Sequence, residues 1–515
     1  MSVRNGEGGA TQTIGSGAVA PPHSRTLHDL VRDIVRDVPR AELRGDGDVL
    51  VSSVCYRSDD ARPDALFFCV PGRSADGHAF AGDAVSRGAT AIVVDRWLDL
   101  DVPQIQVLDV RAAMGPISAA FYGRPADAMT VVGVTGTNGK TTTTFLLEAI
   151  FRADGRTPGV VGTTGIRIDG RPQPFPRTTP EAPDLQRLVA EMADEGVTAV
   201  AMEVSSHGLD QHRVDGIRYS VAVFTNLSQD HLDYHPTMQE YFLAKARLFT
   251  PAMSERAVVN LDDERGRTLA ASGLPTITFG LAPDADVRAT EVESTAEGIA
   301  FLADGVPIRS ALRGSFNVEN ALAAFATARS LGIDDRVAAD AISSVRGVPG
   351  RVETVEVGQG FLVMVDYAHT PDSVENVLRA ARSLTQGRLI VVLGAGGDRD
   401  RAKRPLMGRA ATANADLAIV TSDNPRSEDP IAIIAEITLG AEQGEGRFVV
   451  EPDRRAAIRL AMEEASAGDV VVIAGKGHET YQEIADRTIP FDDRTVAADE
   501  LRSIGKATRP LGTVP

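Results

Sequence analysis

Short apolar runs, each released into a polar, glycine-rich loop and followed by a helical stretch, recur along most of this chain. TVVGV (130–134), TAVAMEV (198–204), VAVFTNL (221–227) and AVVNL (257–261) form one set. FLVMVDYAH (361–369), LIVVLGAGG (389–397), LAIVTSDNP (417–425) and VVVIAGKGHE (470–479) form another. Runs of this kind, apolar on both faces and alternating with helices, predict parallel sheets covered on both sides. In an open sheet of that type, ligands bind where the strands end in loops.

With 515 residues the chain has room for about three domains. The expected division is a tail over 1–25, a small α/β domain over 26–126, a central parallel-sheet domain over 127–350 and a Rossmann-like domain over 351–515. The first segment, rich in Gly, Ser and Ala with no apolar core, reads as a disordered tail and not a signal peptide. Boundaries fall near RPADAM (124–129) and GVPGR (347–351). A net charge of −18 opposes non-specific binding to nucleic acid or an anionic membrane surface. The two cysteines, Cys55 and Cys69, suggest neither a zinc site nor a disulfide framework. No apolar run is long enough to span a membrane. The expectation is a soluble, cytoplasmic protein acting on small molecules.

The strongest local signal is TVVGVTGTNGKTTTTFLLEAIF (130–151). A buried strand runs into Gly136-Thr137-Asn138-Gly139-Lys140-Thr141-Thr142, and a helix follows. Glycines let backbone N–H groups converge on phosphate oxygens, and the helix N-terminus adds its positive end. Lys140 is placed to reach the β- and γ-phosphates, and the Thr141 hydroxyl to ligate Mg²⁺. This is a loop for a nucleoside triphosphate, and by itself it names no reaction. GAGG (394–397) is not a dinucleotide fingerprint, because the position that would need the third glycine is Arg399.

GTNGKTT (136–142), EVSSHGLDQHR (203–213), TNLSQDHLDYH (225–235), GSFNVENALAA (314–324), GVPGRVE (347–353), DYAHTPDS (366–373), GDRDRAKRPLM (397–407), DNPR (423–426) and GKGHE (475–479) follow one another in this order. In these motifs the chain resembles the Mur ligase family, and DYAHTPD is similar to its MurE-type branch. The resemblance covers essentially everything after the tail. It implies ATP-dependent addition of an amino acid to UDP-N-acetylmuramoyl-L-alanyl-D-glutamate. The carboxylate would be activated as an acyl phosphate and then attacked by an amine.

The same resemblance distributes the roles. Glu203 and Thr141 would hold Mg²⁺, and His231 a second ion. Lys245, in YFLAKARLF, would be carbamylated and help organise that second ion. Asn260, Asn317, Asn320, Arg351, Asp366 and His369 would face the ATP. Thr178, Thr179, Ser205, Gln211 and Arg213 would meet the UDP-muramyl-dipeptide. Ser58, with Arg73, would meet its uridine end, although Arg57-Ser58-Asp59 stands where the family more often has Asp-Ser-Arg. The amine would be meso-diaminopimelate. Its distal carboxylate suits bidentate contact with Arg426, and its ammonium suits Asp423, supported by Asn424 and Pro425. Arg399, Gly475 and Glu479 would complete the pocket. The alternatives are the same ligase using L-lysine and a non-catalytic nucleotide-binding relative. A monomer is expected.

Overall fold

The computed structural model describes residues 24–72, 75–173, 175 and 177–506. Most of the expected tail, together with Arg73, lies outside the described residues. The chain divides into two compact units: residues up to Arg124 with Gln186–Asp194, and Pro125–Leu185 with Glu195 onward.

The first unit is built on a five-stranded sheet. In spatial order its strands are Glu42–Arg44, Gln104–Gln106, Ala89–Val94, Ala65–Phe68 and Ser53–Cys55. All pair in parallel except the Glu42–Arg44 edge. The runs ALFFCV and ATAIVVD supply two of its three inner strands, and Phe67, Ile92 and Val94 are buried with Ala81 and Ala84. Both thiols are buried and unpaired. Burial pushes each up to about 12, so neither carries a thiolate at neutral pH.

Among the described residues, the second unit contains two large sheets and a two-stranded hairpin. The larger has eleven strands. Seven run parallel, in the order Pro158–Gly162, Ala199–Glu203, Thr130–Thr135, Val221–Phe224, Ala257–Asn260, Thr276–Gly280 and Val287–Thr295. Antiparallel strands extend both edges: Gly165–Ile168 and Arg171–Gln173 on one side, Gly298–Ala303 and Val306–Ser310 on the other. Of these edge strands, Gly165–Ile168 and Gly298–Ala303 are largely buried, whereas Arg171–Gln173 is exposed and Val306–Ser310 alternates between exposed and buried residues. Helices Lys140–Ala153 and Phe316–Ser330 bury Leu146, Leu147, Ile150, Leu322 and Phe325 against this sheet. Gly133 is required in the central strand, because a Cβ there would lie 2.8 Å from the Tyr219 ring.

The smaller sheet has six strands, ordered Glu353–Thr354, Leu362–Asp366, Val470–Ala474, Leu389–Leu393, Leu417–Val420 and Arg447–Val450. All but the first pair in parallel. Helices cover both faces: Val377, Met407, Ala411 and Ile437 lie on one side, and Ala457, Ile458, Ala461 and Val496 on the other. The last parallel strand inserts between the first and second. The loops after Asp366, Leu393, Val420 and Ala474 therefore cluster at one edge. Among the described residues, no helix is long and apolar enough to cross a membrane.

One buried ion pair ties this sheet to its covering helices. Arg454 donates to both oxygens of Asp493 at 2.8 and 2.7 Å and to the Ala474 carbonyl at 3.0 Å, with both side chains fully buried. Removing one partner strands a charge in a low dielectric. Asp493→Ala is therefore expected to destabilise the unit by about 3–5 kcal/mol, read as an earlier urea unfolding transition. Loss of less than about 1 kcal/mol would show that the arginine is otherwise satisfied.

Candidate functional site

The strand Thr130–Thr135 delivers the chain into the glycine loop, and Gly139 precedes the helix Lys140–Ala153. Gly136 (φ 147°) and Gly139 (φ 86°) both need glycine. Side chains at these positions would also collide with Thr225 and with Asn320, at 1.9 and 2.2 Å from their oxygens. The loop is tied down by Thr225 Oγ1 donating to the Asn138 carbonyl at 2.6 Å and by Asn138 N–H donating to Asn226 Oδ1 at 2.9 Å.

Two lysines converge on one carbonyl of this loop. Lys140 Nζ donates to the Gly136 and Thr137 carbonyls at 2.9 and 2.7 Å. Lys245 Nζ donates to the same Gly136 carbonyl at 2.8 Å. Lys245 projects from the helix Met238–Ala246, is buried, and lies over the Tyr241 ring at 4.5 Å. Burial lowers the pKa of both, and for Lys245 the nearby Lys140 charge lowers it further.

A cavity of about 450 Å³ opens over this loop. Thr137–Thr142, Glu203, Asn320, Arg351, Asp366 and His369 all line it. Arg351 donates to Thr141 Oγ1 at 2.8 Å, and Asp366 accepts the N–H groups of Val352 and Ala368, each at 2.8 Å. Burial raises the Asp366 carboxyl above its ordinary range. Asn260 and Asn317 do not line the cavity. Asn260 instead bonds the Thr225 carbonyl and Glu319, and Asn317 bonds the Arg313 carbonyl and Asn320.

Glu203, at its strand end, is almost fully buried. Its carboxylate accepts the Thr163 N–H and hydroxyl, both at 2.9 Å. Gly162 makes room for it, since a Cβ there would fall 2.4 Å from Glu203 Oε1. Glu203 and Thr141 are hard oxygen donors on one cavity. They suit a magnesium ion that takes its other ligands from phosphate and water. Among the described residues no three His, Cys, Asp or Glu side chains gather into a metal cage. His231, in the left-handed region at φ 57°, is held well below its ordinary pKa by burial and would offer a neutral nitrogen.

A second cavity, about 540 Å³, lies at the carboxyl edge of the smaller sheet. Arg399, Asp423, Asn424, Arg426, Gly475 and Glu479 line it, as do Thr178 and His231. Pro425 does not. Asn424 Nδ2 donates to Glu479 Oε2 at 2.9 Å, and Arg426 Nη1 donates to the Gly397 carbonyl at 2.8 Å. Burial and the adjacent Asp423 raise the Glu479 carboxyl, against the pull of Lys476. The two cavities share Thr163, Tyr367 and His369. Thr179, Ser205, Gln211 and Arg213 form a network beside Glu203. Thr179 Oγ1 donates to the Glu203 carbonyl at 3.1 Å, and Arg213 donates to the Thr179 carbonyl and to Gln211 at 3.2 and 2.6 Å. Ser205 Oγ caps the following helix by accepting Gly208 N–H at 3.0 Å. Ser58 begins a short 3₁₀ turn, Ser58–Asp60, in the first unit.

Several residues were not singled out from the sequence. Lys476, fully buried, donates to Asn424 Oδ1 at 2.9 Å and to Glu479 at 3.1 Å. Lys403 donates to Asp230 at 2.9 Å, joining the smaller-sheet portion to the larger. Both lysines stand inside motifs already quoted, GKGHE and GDRDRAKRPLM, and their burial was the missing signal. Glu319 is also new. It accepts Asn260 Nδ2 at 3.1 Å and lines the first cavity.

Family models match three stretches: the Mur ligase middle domain over 134–328, a Mur ligase glutamate ligase domain over 350–477, and a Mur ligase family catalytic domain over 50–122. A UDP-N-acetylmuramoyl-L-alanyl-D-glutamate–2,6-diaminopimelate ligase of Geobacillus thermodenitrificans is 51% identical over 447 residues, covering 84% of this chain and 91% of its own. One of the same name from Streptomyces avermitilis is 46% identical over 492 residues, covering 91% and 97%. A solved ligase structure of that name superposes with a TM-score of 0.67 at 34% identity, covering 93% of this chain and 99% of its own. The chain belongs to the Mur ligase family of ATP-dependent amide ligases.

Burial, with the Asp262 charge next, raises the Glu319 carboxyl from 4.5 to about 7, partly opposed by the Asn260 amide. Between those values the folded chain holds a proton that the unfolded chain has released. This group's contribution to stability therefore falls as pH rises through the window. Glu319→Gln should abolish that slope, and its melting temperature relative to wild type should climb between pH 5 and pH 8. An offset that stays constant with pH would refute the shift.

Proposed function

We propose that this chain adds meso-diaminopimelate to UDP-N-acetylmuramoyl-L-alanyl-D-glutamate, using ATP, as a cytoplasmic monomer in peptidoglycan precursor synthesis. The observation that carries this reading is the junction of the two cavities at Thr163, Tyr367 and His369. A nucleotide on the glycine loop and an amino acid at the DNPR loop would meet there.

The acceptor carboxylate attacks the γ-phosphorus of ATP, giving an acyl phosphate and ADP. The amine then attacks the acyl carbon, and inorganic phosphate leaves as the amide forms. The burden is to align anions and neutralise them. Lys140 and Arg351 supply positive charge at the phosphates, and backbone N–H groups of Gly136–Thr142 hold them. Magnesium, held by Thr141 and Glu203, with His231 and carbamylated Lys245 at a second ion, would supply further charge neutralisation. Carbamate formation joins the Lys245 nitrogen to CO₂ with loss of a proton and needs a neutral amine. Deep burial beside Lys140 favours that form. Thr178, Thr179, Ser205, Gln211 and Arg213 receive the dipeptide, and Ser58 the uridine end.

At the amine end, Arg426 takes the distal carboxylate of diaminopimelate, and Asp423, with Glu479 nearby, takes the ammonium. L-Lysine lacks that carboxylate and would leave the guanidinium's remaining donors without a substrate partner. Direct competition between meso-diaminopimelate and L-lysine, followed by phosphate release, should show strong preference for the former. Arg426→Ala should raise the KM for meso-diaminopimelate about 10- to 100-fold and leave that for ATP unchanged. Equal effects on both would remove Arg426 from the amine pocket, and equal use of both amines by the wild type would remove the proposed substrate.

Lys245→Ala should lose nearly all turnover, with partial recovery in added formate or acetate, whose carboxylate can stand where the carbamate would. Full activity without rescue would refute the carbamate.

A further inference from the structure

Beyond the DNPR loop, the strand Tyr481–Ile484 pairs with Arg487–Pro490 in a two-stranded hairpin, and Tyr481 also lines the second cavity. This hairpin stitches the loop residue by residue. Gln482 Nε2 donates to the Asp423 carbonyl at 2.7 Å. Glu483 N–H donates to Asn424 Oδ1 at 3.0 Å. Arg426 N–H donates to the Glu483 carbonyl at 3.1 Å, and Ala485 N–H to the Arg426 carbonyl at 2.7 Å. Arg426 is thereby held at φ 51°, a left-handed backbone that an arginine seldom adopts unaided.

The side chains continue the pattern. Glu483 Oε2 accepts Arg426 Nε at 2.8 Å, and the Gly397 carbonyl accepts Nη1 at 2.8 Å. A guanidinium is a planar fork whose donors point in fixed directions. Pinning Nε on one edge and Nη1 by a second acceptor fixes the plane, and so aims the remaining donors. Arg426 lines the cavity, whereas Glu483 is not among its lining residues. The carboxylate therefore holds the arginine without occupying the space of an amine substrate.

We propose that Glu483 is the positioning residue for amine selectivity: it aims the Arg426 guanidinium at the distal carboxylate of the incoming amino acid and, through its N–H, fixes the Asn424 amide beside it. This rests on the assignment of Arg426 to the amine pocket. Flexible arginines carry much rotamer entropy, and ordering one in advance lowers the cost of each contact it makes with a ligand.

The test is steady-state kinetics on the full chain for Glu483→Ala, Glu483→Gln and Arg426→Ala, with meso-diaminopimelate, L-lysine and ATP each varied. Backbone bonds of residue 483 persist in every variant, so the hairpin is retained. Glu483→Ala should raise the KM for meso-diaminopimelate about 10- to 100-fold and lower its kcat/KM advantage over L-lysine by a similar factor, with the KM for ATP unchanged. Glu483→Gln, whose amide oxygen still accepts from Nε, should fall between. An unchanged amine KM and selectivity ratio would overturn the proposal. So would a lowered KM, which would mean that Glu483 competes with substrate for the arginine. Equal losses for all substrates in both Glu483 variants would make it structural support only. If the wild type shows no preference between amines and Arg426→Ala matches it, the amine assignment falls and this inference falls with it. Lost selectivity in Arg426→Ala, but not in Glu483→Ala, would remove Glu483 alone.

Discussion

Parallel strand pairing is the constraint from which the rest of this structure follows. A parallel neighbour cannot be reached by a tight turn, so each strand must be followed by a crossover long enough to return to the same end. In the second unit most of those crossovers carry helices, the short 281–286 link being an exception, and the carboxyl-end loops gather at one edge of each sheet. The glycine loop, the Glu203 strand end and the Asp230–His231 turn come from one sheet. Tyr367–His369, the Gly394–Arg399 loop, DNPR and GKGHE come from the other. Residues hundreds of positions apart reach hydrogen-bonding distance because backbone pairing has already ordered their loops, as in Arg351 with Thr141 and Lys403 with Asp230.

Gathering so many charged groups in partly dehydrated space has an electrostatic cost, and the structure meets it in two ways. Behind the second cavity's wall, charges are matched outright, as in the Arg454–Asp493 pair, whose arginine lies 4.0 Å from Asp423. Around the cavities, matching is incomplete by comparison. Lys140 and Lys245 share a carbonyl, Glu203 has only neutral hydrogen-bond donors, and Glu479 competes with Asp423 for Lys476. Most of the resulting shifts run toward neutrality, with lysines down and carboxyls at Glu319, Asp366 and Glu479 up, whereas at Asp230 burial is outweighed by the positive charges around it, which hold its carboxyl low. A site organised this way has unsatisfied electrostatic capacity that an anionic nucleotide and a charged amino acid would relieve.

Many of the parallel strands were legible because burial on both faces leaves an uninterrupted apolar run, as in LIVVL and VVVIA, whereas Val287–Thr295 pairs in parallel with no such run. The antiparallel extensions were not legible: GIRI, RPQ and VPIRS carry no apolar run of that length, and IAFLA (299–303) carries one but no sign of strand direction. The glycine loop was readable from local chemistry, for its φ angles admit few residues but glycine. Asn260 and Asn317 were placed by motif, yet motif position does not fix side-chain direction: both turn into the framework and not into the cavity. Lys476 and Lys403 were passed over because a lysine in a sequence carries no sign of whether its ammonium will be buried.

The DNPR loop shows how far local residues alone determine a binding group. Asp423, Asn424 and Arg426 suggest an amino acid's complementary charges, but a loop with those residues can place a guanidinium almost anywhere. Its direction here comes from outside the motif, from Gly397 on one strand's loop and Glu483 on a hairpin more than fifty residues downstream. Selectivity between two amines differing by one carboxylate depends on that direction, because a misaimed arginine pays desolvation without gaining the bidentate contact. The proposed discriminating unit is therefore the arginine together with its two anchors, and on that proposal a sequence that kept DNPR but lost the acceptor at 483 would keep the motif while blurring the choice.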